Sequence, residues 1–222
     1  MSKRSCRPSA TAWRSRGLSC AGRGGPRENR RWTARAAGYV EGVTTAEETA
    51  GARITVRAAG GADAAELVRL RRLMFEAMTG EDLPGPWEAD AVRMLRERLA
   101  PDAMEHATTA AFVVDAPGGG LAACAIGTIE QRLPSPIGPT GLFGFVFNVC
   151  TDKAHRGRGY ARATTAALLE WFAAAGVSRV DLHATEQAES LYRALGFGTY
   201  SIALSLDVSV RPPAAAPPSP SL

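Results

Sequence analysis

The residues best suited to chemistry form a short basic turn, Arg156-Gly157-Arg158-Gly159-Tyr160-Ala161, between the apolar stretch 142–151 and a helical pattern ending at Ala175. Glycine lets the backbone approach a ligand closely, and the first amides of a helix have no intrahelical acceptor. Those amides, the helix dipole and the two arginines all favour a bound anion. The turn therefore predicts a phosphate-binding site between a strand and a helix.

The turn differs from two common phosphate-binding motifs. A P-loop requires Gly-Lys-Ser/Thr, and a dinucleotide site requires G-x-G-x-x-G with a later acidic ribose ligand; neither is present. What the turn does contain is Arg-x-x-Gly-x-Ala. About 30 residues later a second motif follows, Ser190-Leu191-Tyr192-Arg193-Ala194-Leu195-Gly196-Phe197.

Together the two motifs resemble those of the GCN5-related N-acetyltransferases, which carry R/Q-x-x-G-x-G/A and a later L-Y-x-x-x-G-F. The resemblance covers roughly residues 52–208. It implies that acetyl-CoA is the acyl donor and that a small-molecule primary amine attacks it directly in a ternary complex. It also places the loop 79–86 in one wall of the acceptor site. Two alternatives stay open: acetylation of protein N-termini or lysines, and a catalytically inactive acyl-CoA-binding regulatory module.

The resemblance also implies which residues bind the coenzyme. In the family the central strand is splayed from its neighbour by a bulge, and its free backbone groups pair with the pantetheine arm like an added strand. An N–H of Val149 or Cys150 is expected to polarise the thioester carbonyl. The expected coenzyme-binding residues are Val149, Cys150, Thr151, Arg156, Gly157, Arg158, Gly159, Tyr160, Ala161 and Arg162.

Proton transfer is assigned to side chains outside the central strand and the turn. Tyr192 matches the family tyrosine that protonates the leaving thiolate, which a phenol can do at neutral pH. His183, Glu130 and Asp181 are candidate bases for the amine, and because Asp181 and His183 share strand parity, they could act together. Two further routes stay open: direct proton loss to water, and an acyl-enzyme formed on Cys150.

The hydrophobic pattern predicts the elements that position these residues. Ile54 and Val56 alternate with polar residues as in a half-exposed strand, and Pro117–Gly120 separates two apolar runs as in a hairpin. The predicted order is strand 52–58, helices 63–78 and 87–99, strands 109–116, 121–133 and 142–151, helix 159–175, strand 179–184, helix 186–195, and one or two closing strands in 197–208. This order matches the acetyltransferase fold. We predict a single α/β (α+β) domain with a mixed, mostly antiparallel sheet of about six or seven strands, splayed between strands 4 and 5, and about four helices.

The charge of the chain is uneven. Of its 222 residues, 45% are hydrophobic and 22% charged, as in a globular protein. Residues 1–35 hold ten basic residues and one acidic residue, whereas the remainder hold 16 basic and 21 acidic residues. We therefore predict a disordered basic leader at 1–51, an acyl-CoA N-acyltransferase domain at 52–208, and a disordered proline-rich tail at 209–222.

The sequence argues against several other partners. No apolar run approaches the ~20 residues of a membrane span, and the leader lacks the apolar segment of a secretory signal. The four cysteines show no metal-ligand spacing, so no metal is expected. We therefore predict a cytoplasmic enzyme with a small-molecule amine as its partner and no membrane contact. Nucleic-acid binding is disfavoured because it rests on the leader alone, and a homodimer is left open.

Overall fold

The structure is a computed structural model that describes residues 52–101, 107–136, 138–200, 204–207 and 209. For 45–49 and for 52 and 53, it describes the backbone alone. The predicted leader up to residue 44 and the predicted tail from residue 210 onward lie outside these ranges. The chain forms two compact units, residues 1–183 and 184–222.

The first unit is built on a sheet of six strands that lie side by side in chain order. Neighbouring strands run antiparallel, except that the last pair is parallel. The strands are β1 (Thr45–Thr49), β2 (Ala52–Ala58), β3 (Thr109–Asp115), β4 (Leu121–Gln131), β5 (Leu142–Thr151) and β6 (Arg179–Leu182). The mixed, mostly antiparallel sheet confirms the predicted fold class.

Helices cover both faces of this sheet. In the first unit these are α1 (Ala64–Thr79), α2 (Trp87–Arg98) and α3 (Tyr160–Ala174), and the second unit contains α4 (Glu186–Ala194). Helix α3 buries Leu168, Trp171 and Phe172 against one face, and α1 buries Leu67 and Leu70 against the other. We call these the α3 face and the α1 face. Burial of such large apolar side chains stabilises the fold by about 1.5–3 kcal/mol each.

A bulge interrupts β5. Ile126 of β4 lies opposite Asn148, whereas the next residue, Gly127, lies opposite Val146. Phe147 is therefore an extra residue in β5, which is the definition of a bulge. A bulge reverses the alternation of side chains between the two faces of the sheet. Residues at every second position of β5 therefore face one side of the sheet before Phe147 and the other side after it.

The bulge coincides with the point at which β5 and β6 part. Strand β6 pairs with β5 at 143–146 alone. We call these residues the paired half of β5, and residues 147–151 the open half. On its outer edge the open half has no strand neighbour among the described residues. This arrangement confirms the splay predicted between strands 4 and 5 of the expected sheet, which are β5 and β6.

The predicted strands differ from the observed ones at both ends of the sheet. Thr45–Thr49, which sequence analysis assigns to the leader, forms β1, and the pair Thr49–Ala52 leaves a connection of hairpin length. The prediction of a disordered leader is based on the composition of residues 1–51 as a whole, which does not indicate a strand of five residues within it. Conversely, no strand is described in 197–200 or 204–207, where alternation predicts closing strands. Leu204 and Leu206 are 91% and 69% exposed, so the alternating apolar residues bury little there.

Within the described ranges, no helix is long and apolar enough to cross a membrane. The same ranges contain no group of His, Cys, Asp and Glu residues that could hold a metal ion.

Candidate active site

The turn after β5 holds two glycines in the left-handed region, Gly157 at φ 76° and Gly159 at φ 80°. A side chain at either position would strain the backbone. Gly159 is the N-cap of α3, and the Ala163 N–H donates to the Gly159 carbonyl at 3.0 Å. The amides of 160–162 therefore precede any intrahelical acceptor and lie at the positive end of the helix dipole. Such a terminus favours an anion such as phosphate.

Two buried polar atoms near this turn find no hydrogen-bond partner within the described part of the chain. They are Oγ1 of Thr151, the last residue of β5, and Nδ1 of His155. An unsatisfied buried polar atom costs about 1–3 kcal/mol, which a polar ligand would offset. Arg156 and Arg158 are exposed beside them, and the Arg156 Nε donates to the Thr151 carbonyl at 3.4 Å. The residues present therefore fit a ligand that carries phosphate.

The open half of β5 directs its backbone groups alternately toward β4 and toward the open edge. The Asp152 N–H donates to a carbonyl of β4 at 2.9 Å, and Cys150 lies opposite Cys124 of β4. Because residues two apart in an antiparallel strand face the same neighbour, the Cys150 N–H also points to β4. The Val149 N–H points to the open edge. Of the two expected donors, only Val149 therefore has the orientation that an added strand requires.

The thiol of Cys150 lies on the α1 face and is 7% exposed. Burial raises its pKa to about 11. The thiol therefore stays protonated at neutral pH, whereas the thiolate is the nucleophilic form. This protonation state argues against the acyl-enzyme route through Cys150.

Two of the candidate bases are held in ion pairs with a nearby arginine. Glu130 of β4 accepts from the Arg132 guanidinium at 2.7 Å, and Asp181 of β6 accepts from the Arg179 Nε at 3.0 Å. In both pairs the arginine lies two residues away along the chain. Each carboxylate is thus paired with an arginine close to it in the chain.

His183 is the first residue beyond the point where β6 stops pairing with β5. Its exposed ring lies edge-to-face with Phe145, with 5.5 Å between the ring centroids. Glu130 is two strands away and about four residues along the sheet, so the two Cα atoms lie roughly 16 Å apart. The structure therefore does not bring the two predicted bases together. His183 is the one next to the open half of β5.

Tyr192 lies on α4, in the second unit, and is 8% exposed. The Phe197 N–H donates to the Tyr192 carbonyl and the Gly196 N–H to the Arg193 carbonyl, both at 3.0 Å. With Gly196 at φ 94°, these bonds form a Schellman motif that ends the helix. It returns Phe197 to an edge-to-face contact with Tyr192, 5.8 Å between centroids. The spacing Tyr-x-x-x-Gly-Phe thus has a structural cause. Burial raises the pKa of Tyr192, so its phenol is protonated at neutral pH.

The model of the Acetyltransferase (GNAT) family matches residues 69–197, more than half of the chain. The chain belongs to the GNAT acetyltransferase family. Members transfer an acetyl group from acetyl-CoA, so the protein is an acetyl-CoA-dependent N-acetyltransferase. No curated protein matches the chain in sequence.

Several solved structures share the fold of this GNAT acetyltransferase. A predicted acetyltransferase with acetyl-CoA from Clostridium acetobutylicum is 19% identical and covers 69% of this chain and 96% of its own, with a TM-score of 0.60. A GCN5-related N-acetyltransferase from Ralstonia eutropha is 23% identical and covers 69% and 97%, with a TM-score of 0.56. Glucosamine-6-phosphate N-acetyltransferase from Arabidopsis thaliana is 17% identical and covers 69% and 97%, with a TM-score of 0.55. At sequence identities of 17–23%, this structural similarity shows that the fold is shared.

The loop between α1 and α2 of the acetyltransferase is held at two points. The Arg72 guanidinium of α1 pairs with Asp82 in the loop. The Trp87 Nε1–H, at the start of α2, donates to the Leu83 carbonyl at 3.0 Å. A loop tied to both of its helices has a defined shape, as one wall of a binding site requires.

Sequence analysis missed one polar residue near the open half of β5. Arg71 of α1 donates through Nη1 to the Asn148 Oδ1 at 3.2 Å. Its guanidinium carbon lies 4.8 Å from the ring centroid of Phe75 and 5.9 Å from that of Phe147. The available signal was Asn148, a single amide in an otherwise apolar strand and only 1% exposed. A buried amide usually has a hydrogen-bond partner on a neighbouring element.

Proposed function

We propose that this acetyltransferase transfers the acetyl group to the primary amine of a small molecule by direct attack in a ternary complex. The observation that carries the proposal is the open half of β5, which ends at the glycine turn. An unpaired strand edge and a helix N-terminus are joined there in one continuous stretch, residues 147–162. Such a stretch can bind an extended arm and a phosphate at the same time.

The coenzyme would lie along this stretch. The N–H and C=O groups of Val149 and Thr151 would pair with the pantetheine arm, and the amides of 157–162 would bind the pyrophosphate beside Arg156 and Arg158. When bound, acetyl-CoA supplies an activated acetyl thioester. The Val149 N–H, which points to the open edge, would donate to the thioester carbonyl, and one such preorganised donor is worth about 2.7–4 kcal/mol.

Proton transfer would then involve two side chains. His183 would take a proton from the attacking amine, because its ring is exposed and the residue directly follows the last pair between β6 and β5, where the open half begins. Tyr192 would give its phenolic proton to the leaving sulfur, since burial keeps the phenol protonated. The new bond joins the amine nitrogen to the acetyl carbon, and the bond that breaks joins that carbon to sulfur.

The anchored loop between α1 and α2 favours a small acceptor over a protein. Contacts with Arg72 and Trp87 hold this loop in place, and a fixed loop would narrow the open groove that a peptide acceptor needs. The fold accommodates a small acceptor in the glucosamine-6-phosphate N-acetyltransferase from Arabidopsis thaliana. Acetylation of a protein N-terminus or lysine is the alternative, since the family fold alone does not choose the acceptor.

The decisive experiment measures thiol release from acetyl-CoA with two panels of acceptors, one of small primary amines and one of peptides. Calorimetric titration with acetyl-CoA accompanies it. We expect binding of acetyl-CoA, and turnover with at least one small amine at a kcat/KM above that of every peptide. A higher kcat/KM with peptides would establish the protein acceptor instead. Binding without thiol release in either panel would indicate an inactive binding module.

A further inference from the structure

Helix α1 carries three neighbouring arginines whose partners differ. Arg69 pairs with Glu66 and Asp152, and its N–H groups lie 3.0 and 2.7 Å from their carboxylate oxygens. Arg72 pairs with Asp82 and Glu88. Arg71 has no carboxylate within ion-pair distance among the residues that the structure describes.

The environment of Arg71 makes the lack of a carboxylate partner among the described residues unfavourable. The side chain is half-buried, and desolvation lowers the pKa of its guanidinium. A partly buried cation without a counter-ion loses hydration, and the hydrogen bond to Asn148 replaces only part of it. The two aromatic rings of Phe75 and Phe147 offset a further part of this loss through cation–π contacts. Most of the five N–H donors of the group stay available to an added partner.

The position of Arg71 is fixed from both sides. Its acceptor, Asn148, is held in turn because the Asn148 Nδ2 donates to the Cys124 Sγ at 3.4 Å. Phe147, one of the two flanking rings, is the bulged residue of β5. Asn148 directly precedes Val149, so their Cα atoms are ~3.8 Å apart. The unpaired guanidinium thus lies beside the start of the open half, near the proposed position of the thioester.

We propose that Arg71 binds an anionic oxygen group of the acceptor, so that the substrate is an amine that also carries a carboxylate or a phosphate. This inference rests on the proposed function, since it specifies the acceptor of the same site. A guanidinium is a planar, rigid fork of donors that matches carboxylate and phosphate oxygens, and that of Arg71 is held by Asn148 and by the rings of Phe75 and Phe147. The anionic group would supply the counter-ion that the fold does not provide.

The test compares acceptors that share an amine but differ in charge. Each of a panel of α-amino acids is compared with its amide, and O-phosphoethanolamine is compared with ethanolamine. We expect the wild-type protein to prefer the anionic member of at least one pair by tenfold or more in kcat/KM. The pair concerned distinguishes a carboxylate from a phosphate. No preference for an anionic member in any pair would overturn the inference while leaving acetyl transfer intact.

The variant Arg71→Gln should lower kcat/KM for the anionic member by about 10–100-fold, the usual worth of a hydrogen bond to a charged group. The neutral member should change less than about threefold, and Arg71→Lys should restore part of the loss because it keeps the charge but not the fork. The matched control is Arg93→Gln, which removes an exposed arginine of α2 paired with Asp90. An equal loss for both members would show that Arg71 only supports β5.

A second measurement separates this inference from the proposed function. The free protein and Arg71→Gln are titrated with N-acetylglycine and with N-acetylglycinamide, without coenzyme. We expect the acid to bind more tightly than the amide in the wild type, and this difference to vanish in the variant. A failure of acetyl-CoA to bind would count against the proposed function alone, because this titration does not depend on it. Equal binding of acid and amide to the wild type would count against Arg71 as an anion ligand.

Discussion

The two halves of β5 are held in different ways. The paired half, 143–146, has β4 on one side and β6 on the other. The open half, 147–151, has only β4 as a strand neighbour in the described chain. A strand edge without a partner exposes donors and acceptors that can pair with another extended chain. The same strand thus provides a scaffold in its first half and a binding edge in its second.

Side chains of α1 compensate for the missing strand. Arg71 contacts Asn148 within the open half, and Arg69 contacts Asp152 at its end. One residue further on, Lys153 pairs with Glu76 at 2.7 Å. These contacts reach the strand from its face and its end, and they leave the outer edge free. The comparison shows that contacts from α1 can fix the position of the open half while its outer edge stays accessible to a ligand. Four predictions test this comparison.

The largest effect on turnover is expected from Tyr192→Phe. The variant keeps the ring that contacts Phe197 and removes the hydroxyl that, in the proposed mechanism, gives its proton to the leaving sulfur. We expect kcat to fall about 10²–10⁴-fold, the usual contribution of general acid catalysis, with acetyl-CoA affinity unchanged. Because burial raises the pKa of Tyr192 above its ordinary value of 10, ionisation of the phenol should not lower the wild-type rate near neutral pH. Unchanged kcat in the variant would remove Tyr192 from the mechanism.

The next largest effect is expected from proline substitutions in the open half, because the N–H groups of Val149 and Cys150 point in opposite directions. Proline at 149 removes an N–H that points to the open edge, so the ladder with β4 should survive. We expect Val149→Pro to fold and to lose about 10²–10³-fold in kcat, as for the loss of one oxyanion donor. Proline at 150 removes an N–H directed at β4 and should cost about 1–3 kcal/mol of stability. Thermal unfolding of the two variants checks the order, and equal destabilisation would contradict the assigned orientations.

A smaller effect, confined to stability, is expected in the paired half. A Cβ at Gly144 would lie 2.8 Å from a ring atom of Phe172 and 3.0 Å from a methyl of Val180. Gly144→Ala should therefore push α3 and β6 away and cost about 1–3 kcal/mol. The control is Gly118→Ala, where nothing lies within 4 Å. Acetyl-CoA affinity at 25 °C should stay close to that of the wild type, and a large loss would show that the two halves are not independent.

The sequence predicts the geometry of the glycine turn well because that geometry is local. A glycine with positive φ, a helix N-terminus and adjacent arginines are all specified within 156–162. The Tyr192 motif is local for the same reason, since one Schellman turn fixes the spacing of Gly196 and Phe197. The strands are also predictable, because β5 alternates buried and half-buried residues, whereas β3 and β4 are nearly continuous apolar runs that are buried along most of their length.

The features that the sequence does not specify depend on contacts between distant segments. Phe143, Phe145 and Phe147 repeat at every second position, and nothing in that pattern marks Phe147 as the extra residue. Its identity follows only from the pairing with β4. The role of Arg71 likewise depends on Asn148, 77 residues away, and on the absence of a carboxylate in the described surroundings. Such tertiary facts require the structure.

The smallest effect concerns the ion pair at the end of the open half. The Arg69 guanidinium, and secondly the Ala154 N–H, hold the pKa of Asp152 below its usual value. A carboxyl group with a lowered folded-state pKa contributes stability at pH values above its unfolded pKa of about 3.9, and that contribution is lost as the pH falls through the folded value. Asp152→Asn should therefore lower the thermal midpoint at pH 7 by a few degrees, for a pair worth up to about 1 kcal/mol. The difference from the wild type should shrink as the pH falls below about 4.

The exposed pair of Asp90 with Arg93 supplies the control, since Asp90→Asn should shift the midpoint less at pH 7. A gap for Asp152→Asn that stays constant from pH 7 to pH 3 would show that the charge of Asp152 does not hold the open half in place.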